Sequence, residues 1–263
     1  MTELVLESLD QGVPTLTLNR PAQRNALDDD LCDALESATA RAEANDDAAV
    51  IVLQGAGGFF CVGGDVNGMG AVEGSAASVQ AHTRTLRRRM DAARRLHEMP
   101  KPTIALVQGA AAGAGLALAL ACDFRVVAES AKFSTAFIGV ALSGDYGGTW
   151  FLTRLVGPAK ARELYLLSPR LDAEQALAQG LVHRVLPDAQ AEQAAQDLAA
   201  GLARGPRIAL AHMKANLLLA EHASLAHSLD AEASRHVLSA VTDDHREAAA
   251  AFAHKRAAIF TGR

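Results

Sequence analysis

Aromatic residues are scarce in this 263-residue chain: 1 Trp, 2 Tyr and 8 Phe make up 4% of it. Cysteine is scarcer, and Cys32, Cys61 and Cys122 show no paired spacing and no CxxC. A disulfide scaffold is therefore excluded, and free buried thiols in a reducing cytoplasm are expected. Neither sign of charge dominates, since 25 Lys and Arg against 30 Asp and Glu leave a net charge of −5. No global basic field draws nucleic acid or an anionic membrane. The longest apolar run, near Gly109 to Cys122, is too short and too glycine-rich for a membrane span. The opening MTELVLESLDQG carries acids and no apolar core, unlike a signal peptide. The nine histidines show no metal spacing, so no metal site is expected.

What is present is small and apolar. Hydrophobic residues make up 50% of the chain, charged residues 21%, and glycine occurs 21 times. Such a chain buries a substantial core and is neither disordered nor collagen-like. Its length allows one domain, or a core with a smaller appendage.

Periodicity supplies the element order. Leu4 to Leu6 and Val13 to Leu18 alternate about Asp10-Gln11-Gly12 and predict a hairpin. Leu27 to Ala44 predicts a helix capped by Asn25 or Asp28. Ala49 to Gln54 predicts a strand that runs into a loop from Gly55 to Gly70. One helix is expected from Ser78 to Glu98, stopped by Pro100 and Pro102, with Arg87–Arg89 and Arg94–Arg95 on a solvated face. Thr103 to Val107 and Phe124 to Ala128 predict buried strands, and Gly109 to Gly115 is expected to open the helix between them. The order is that of an α/β fold with parallel strands. From Asp188 the pattern is helical, with a boundary near residue 200, at Arg204-Gly205-Pro206. Residues 1–200 are thus expected to form the core, and 201–263 a helical region.

Two glycine-rich turns follow short apolar strands: Phe59-Phe60-Cys61-Val62-Gly63-Gly64-Asp65, and Gln108 to Gly115. Small residues leave amides accessible, so the pair can aim two N–H groups at one oxygen. Tight helix–strand packing explains the same glycines. A third segment, Phe133 to Leu155, holds Asp145 in a glycine-flanked turn before a helical run. Taken alone, that aspartate is read as a helix N-cap.

In order, NRPAQRNAL (from Asn19), FFCVGGDV (from Phe59), KPTIALVQGAAAGAG (from Lys101), CDFRVVAESAKFS (from Cys122) and GDYGGTWFLTRLVG (from Gly144) resemble the crotonase, or enoyl-CoA hydratase/isomerase, family. LSPRLDAEQALAQGLVHRVLP and AAFAHKRAAIF extend the resemblance to nearly the whole chain. It implies a crotonase-like spiral of β-β-α turns with a C-terminal helical trimerisation region, a homotrimer or dimer of trimers. It also implies a coenzyme A thioester as substrate, with no further cofactor. By position, the oxyanion-hole amides are those of Gly64 and Ala114. Substrate or CoA contacts map to Arg24, Asn25, Ala26, Cys61, Gly63, Asp65 and Phe137, and to Phe252 and Lys255 across a subunit interface. Asp65 is expected mainly to fix its loop. Arg20 and Arg24 are expected either at the CoA phosphates or on a solvated surface. Phe133, Phe137, Tyr146 and Trp150 line an acyl pocket or pack the core.

The chain departs from the family's hydratases at both of their glutamates, whose places hold Ala117 and Phe137. Neither residue activates water or carries a proton. Asp145 matches the acid of the family's isomerase branch, the ring-epoxide isomerase of phenylacetate breakdown included. The resemblance therefore implies an enoyl-CoA isomerase with Asp145 as acid and base, its pKa raised by apolar neighbours. The alternatives are a hydratase lacking the usual glutamate pair and a non-catalytic acyl-CoA-binding oligomer.

Overall fold

A computed structural model describes residues 3–66 and 74–263. Residues 67–70 of the expected glycine-dense loop lie outside that set. The chain opens with the antiparallel hairpin β1 (Val5–Asp10) and β2 (Val13–Leu18). Its turn residues Gln11 and Gly12 both take positive φ, the geometry that matches strand twist. Helix α1 (Asp29–Ala44) begins where Asp28 Oδ1 accepts a hydrogen bond from Leu31 N at 2.9 Å, so Asp28 and not Asn25 is its cap. Strand β3 (Ile51–Gly55) leads into the first glycine turn.

The segment expected as one helix is two, α2 (Ala76–Arg89) and α3 (Asp91–Glu98), separated at Met90. The reason is burial. Helix α3 lays Ala92, Ala93 and Leu96 on the core, whereas α2 buries no residue and leaves it. The basic run does more than face water. Arg89 Nε donates to Asp33 Oδ1 at 2.8 Å and also pairs with Asp29, while Arg95 Nη1 reaches Glu36 Oε1 at 2.8 Å. Those arginines clamp α2 and α3 to the acidic side of α1.

Strand β4 (Thr103–Val107) is followed by β5 (Ala110–Ala112), α4 (Ala114–Ala121), β6 (Phe124–Ala128) and β7 (Lys132–Ser134). Three alanines expected in a turn form β5 because they pair in parallel with Lys132–Ser134, a long-range contact that outweighs weak local β propensity. Helix α5 (Gly148–Leu167) breaks at Gly157, whose φ of 76° and ψ of 163° are not helical, just before Pro158. Then come β8 (Leu171–Asp172), α6 (Ala173–Ala178), β9 (Arg184–Leu186) and the helices α7 (Asp188–Ala203), α8 (Arg207–Ala220), α9 (Leu225–Ala240) and α10 (Asp243–Ala253).

Six strands form one sheet in the order β1-β2-β3-β4-β6-β9, and β5-β7-β8 form a second. The units β4-β5-α4 and β6-β7-α5 repeat one path, so the chain winds as a spiral. Alternation along the parallel strands splits the interior. Leu16, Ile51, Leu53, Ala105, Val107 and Val127 join the large core with α1, α3 and α4. Val52, Ile104, Leu106 and Val126 meet Ala191, Ala195 and Ala199 of α7 on the other face. The buried Lys214 of α8 donates to Asp123 Oδ2 at 2.7 Å, beside the bond from Thr103 N at 2.7 Å, and ties the C-terminal helices to the core. Leu217, Leu225, Leu229 and Val237 leave an apolar outer surface on α8 and α9. Among the described residues, no helix is long and apolar enough to cross a membrane.

Candidate active site

The two glycine turns are neighbours through the backbone. Cys61 N donates to Ala110 O and Ala112 N donates to Cys61 O, both at 3.0 Å, pairing Cys61 with Ala111. Gly63 sits at φ +92°, where a side chain is strained, and a Cβ there would stand 2.9 Å from Ala112 O. The same Cβ would lie 3.6 Å from Ala114 N, which shows how closely the turns approach. A Cβ on Gly115 would overlap the carbonyl oxygen of Cys61. Glycine at 115 is thus a packing requirement.

Both expected oxyanion amides lack an internal partner among the described residues. Leu27 N donates to Gly63 O at 2.7 Å and Asp65 N to Leu27 O at 2.9 Å, which brackets Gly64 and leaves its own N–H unused. Ala114 opens α4, so its N–H is one of the amides that a helix start leaves unbonded. Among the described residues no hydrogen bond takes either donor. Ala114 is not in the left-handed region, so alanine serves there as glycine would. Helix α4, wholly buried, adds its positive end.

Asp145 stands on the turn before α5. It does not cap that helix: the cap residue is Gly147, and only the backbone oxygen of Asp145 takes a bond, from Gly148 N at 3.0 Å. Its buried Oδ1 has no hydrogen-bond partner among the described residues. Burial alone pushes the carboxyl up to about 6. Its charge reaches the Cys61 thiol and the hydroxyl of Tyr165. The turn docks on α4, since a Cβ on Gly148 would lie 3.3 Å from the Ala117 Cβ. Asp145 therefore lies on the turn that seats Gly148 against Ala117 of α4.

Ala117 and Phe137 line one cavity of about 10 Å³ with Gly113, Gly148 and Tyr165. Among the described residues no carboxylate lines it. The Phe137 ring stacks on Tyr165, with centroids 5.8 Å apart and planes 17° from parallel. Tyr165 is a site residue that sequence reading missed, because it looks like any apolar position in ARELYLL. Of the other aromatics, Phe133 and Tyr146 are core residues, and Trp150 packs against His97 and under the Arg154 guanidinium.

The remaining expected contacts divide. Asn25 is fully buried: its Oδ1 accepts from Arg20 N at 2.9 Å, and its Nδ2 donates to Ala56 O at 3.0 Å and Phe59 O at 2.6 Å. It staples the Arg20–Leu27 segment to the first glycine turn, and its side chain is not free for CoA. Arg20 is likewise committed, to Asp28 at 3.0 Å and Asp65 at 3.1 Å, so it does not face a phosphate. Asp65 holds its loop in this way. Ala26 is buried, and the Cys61 thiol, also buried, accepts from Gly63 N at 3.4 Å. Burial pushes that thiol up to about 12, so it is no nucleophile. Arg24 lies exposed over the Phe59 ring, at 5.3 Å. Phe252, 88% exposed, lies in the last turn of α10, and Lys255 follows in a left-handed turn. Helix α10 packs on α9. Among the described residues, no group of three His, Cys, Asp or Glu side chains is placed to hold a metal ion.

Comparison with known proteins points to one family and to more than one reaction within it. The model of the enoyl-CoA hydratase/isomerase family matches residues 8–263. The chain is 38% identical to the 1,2-epoxyphenylacetyl-CoA isomerase of Escherichia coli K12 over 268 residues, covering 100% of both. It is 36% identical to the 2,3-dehydroadipyl-CoA hydratase of the same organism over 263 residues, again covering 100% of both. Among solved structures, an enoyl-CoA hydratase from Polaromonas sp. JS666 superposes with a TM-score of 0.90 at 34% identity, covering 98% of this chain and 99% of that one.

Proposed function

The chain belongs to the enoyl-CoA hydratase/isomerase family, and from that membership we propose that it is an enoyl-CoA isomerase in which Asp145 alone moves the proton. In this reading the thioester oxygen accepts from Gly64 N–H and Ala114 N–H. Ionised Asp145 takes a proton from the α-carbon of a 3-enoyl thioester. The electron pair spreads into a dienolate whose negative oxygen the two amides stabilise, each contributing roughly 2.7–4 kcal/mol by analogy with other oxyanion holes. Asp145 then returns the proton to the γ-carbon, and the double bond has moved into conjugation. Atoms balance, and no water enters.

One observation carries the reading: Asp145 is the acid at the turn, while Ala117 and Phe137, at the places of the family's two hydratase glutamates, line an apolar cavity. One carboxylate suffices for a proton shuttle. Water addition calls for two groups, one to activate water and one to protonate carbon. A carboxyl poised near 6 is ionised at neutral pH and still a competent base. The names of the relatives include both chemistries, so hydration is the second reading.

The test is Asp145→Asn with a 3-enoyl-CoA and a 2-enoyl-CoA, products read by NMR. Double-bond transfer is expected from the parent, with a loss of about 10²–10⁴-fold in the variant and acyl-CoA binding retained. Unchanged turnover, or water addition as the main parent reaction, overturns the proposal. Binding with no turnover of either ester would leave only an acyl-CoA binder.

The assembly is part of the proposal. The exposed apolar surface of α8 and α9 fits burial between copies in a trimer or dimer of trimers. Phe252 and Lys255 would then reach a neighbour's CoA. Three buried free thiols fit a cytoplasmic setting.

A further inference from the structure

Helix α5 returns to its own beginning. A straight helix would carry Tyr165 about 25 Å from Gly148. The break at Gly157-Pro158 folds the second half back, and the Tyr165 hydroxyl ends 3.1 Å from where a Gly148 Cβ would be. A Cβ on Gly144 would overlap that hydroxyl. Gly148 is not in the left-handed region, so backbone conformation does not demand glycine there. The space does. Gly144 also sits at φ +110°, which favours glycine whatever the space, and so two bare positions flanking Asp145 border one oxygen atom.

That oxygen has no partner. The Tyr165 hydroxyl is buried and makes no hydrogen bond among the described residues, like Asp145 Oδ1 three residues before Gly148. The other buried tyrosine hydroxyl without a bond, on Tyr146, faces the Cys32 thiol in the core. Tyr165 instead lines the cavity with Gly113, Ala117 and Phe137, beside the oxyanion turn. Stacking on Phe137 needs only the ring, and phenylalanine would supply it without an unsatisfied donor. The cavity has room for one atom-sized group. Burial, then the Asp145 charge, push the phenol up to about 12, so it stays a donor at every working pH.

We propose that Tyr165 selects the substrate: its hydroxyl donates a hydrogen bond to an oxygen atom carried by the acyl group beyond the β-carbon, so the enzyme takes oxygen-substituted acyl-CoA esters in preference to plain hydrocarbon ones. The oxygen is a hydroxyl, ether or epoxide oxygen, for each accepts one bond. This rests on the isomerase reading for where the acyl chain lies, but not on the proton transfer itself. A site built to bond one oxygen discriminates against the analogue that lacks it, because the donor is then left unpaired.

The experiment compares a plain 3-enoyl-CoA with its counterpart bearing a hydroxyl on the carbon after the double bond, in the parent and in Tyr165→Phe. The parent is expected to prefer the hydroxylated ester by about tenfold or more in kcat/KM, and the variant to lose that preference. A preference that survives in Tyr165→Phe, or is absent from the parent, overturns the proposal. So does a variant defect confined to water addition, which would assign the hydroxyl to a bound water. Calorimetric Kd values for the saturated pair, with and without the hydroxyl, give the same ratio with no chemistry. If neither ester reacts but the binding preference is present and lost in Tyr165→Phe, the proton transfer fails while the placement of the acyl chain, and with it this proposal, stands.

Discussion

Cys61 and Ala111 are paired in parallel by two backbone hydrogen bonds of 3.0 Å, and that pairing makes two separate glycine turns into one site. It sets the closeness of α4 to the first turn, which only Gly115 permits. Gly115→Ala is therefore expected to destabilise by about 2 kcal/mol or more through overpacking against Cys61 O. It should also lower kcat more than acyl-CoA affinity, because in the proposed mechanism the displaced donor acts on the developing oxyanion. Urea unfolding with steady-state kinetics checks both, and a variant with parental stability contradicts the packing argument.

The Asp145 carboxyl gives a pH signature. Its folded value near 6 lies above the ordinary 3.8, so burial costs stability when the group ionises. Well below the ordinary 3.8 both folded and unfolded chains are protonated there and nothing is lost. The cost grows as pH rises toward 6 and is complete above it, reaching about 2–3 kcal/mol. Asp145→Asn should thus be more stable than the parent at pH 8 by about that amount, and close to it near pH 4. Denaturant titrations at the two pH values measure this.

The same carboxyl must be ionised to act as a base. The pH profile of kcat/KM for double-bond transfer is expected to rise with an apparent pKa near 6 and then level. A limb near 4 would mean that the carboxyl is solvated in the working enzyme.

Asn25 is a structural staple with three hydrogen bonds between the Arg20–Leu27 segment and the first turn. Asn25→Ala strands the Arg20 N–H and two carbonyls, with an expected loss of about 2–4 kcal/mol. Its φ of +57° adds strain for alanine. Thermal melts of parent and variant report the loss, and a variant that melts with the parent contradicts the staple.

The apolar outer surface of α8 and α9 leads to a statement about mass. Sedimentation is expected to give three or six times the 27.5 kDa of the chain. Leu217→Glu and Leu229→Glu together should shift it toward the monomer.

Much of this was legible in the residues, for identifiable reasons. The hairpin, β4 and β6 alternate or run apolar over short stretches with clear turn residues, so local pattern and tertiary need agree. Gly63, Gly64 and Gly113 announced the turns. Ala110 to Ala112 did not read as a strand, because its pairing partners are Cys61 and Lys132–Ser134, remote in sequence. The break at Met90 went unread since both sides are good helix formers and only the core distinguishes them. Asp145 shows the limit from the other side. An aspartate before a helix ordinarily caps it, and only the likeness to a family with an acid there argued otherwise. Tyr165 lay out of reach, because the kink at Gly157 is what carries it to a turn some 20 residues earlier.

The orphaned Oδ1 of Asp145 has one more consequence, and it is isotopic. An acid with one oxygen buried, and with no hydrogen-bonded neighbour among the described residues to pass a proton along, trades its proton with the solvent only through its outer oxygen. In the proposed shuttle, deuterium placed on the α-carbon would then appear on the γ-carbon of the same molecule. The enzyme would keep a memory of the atom it removed, and the fraction of label retained would count how often water reaches the carboxyl within one turnover.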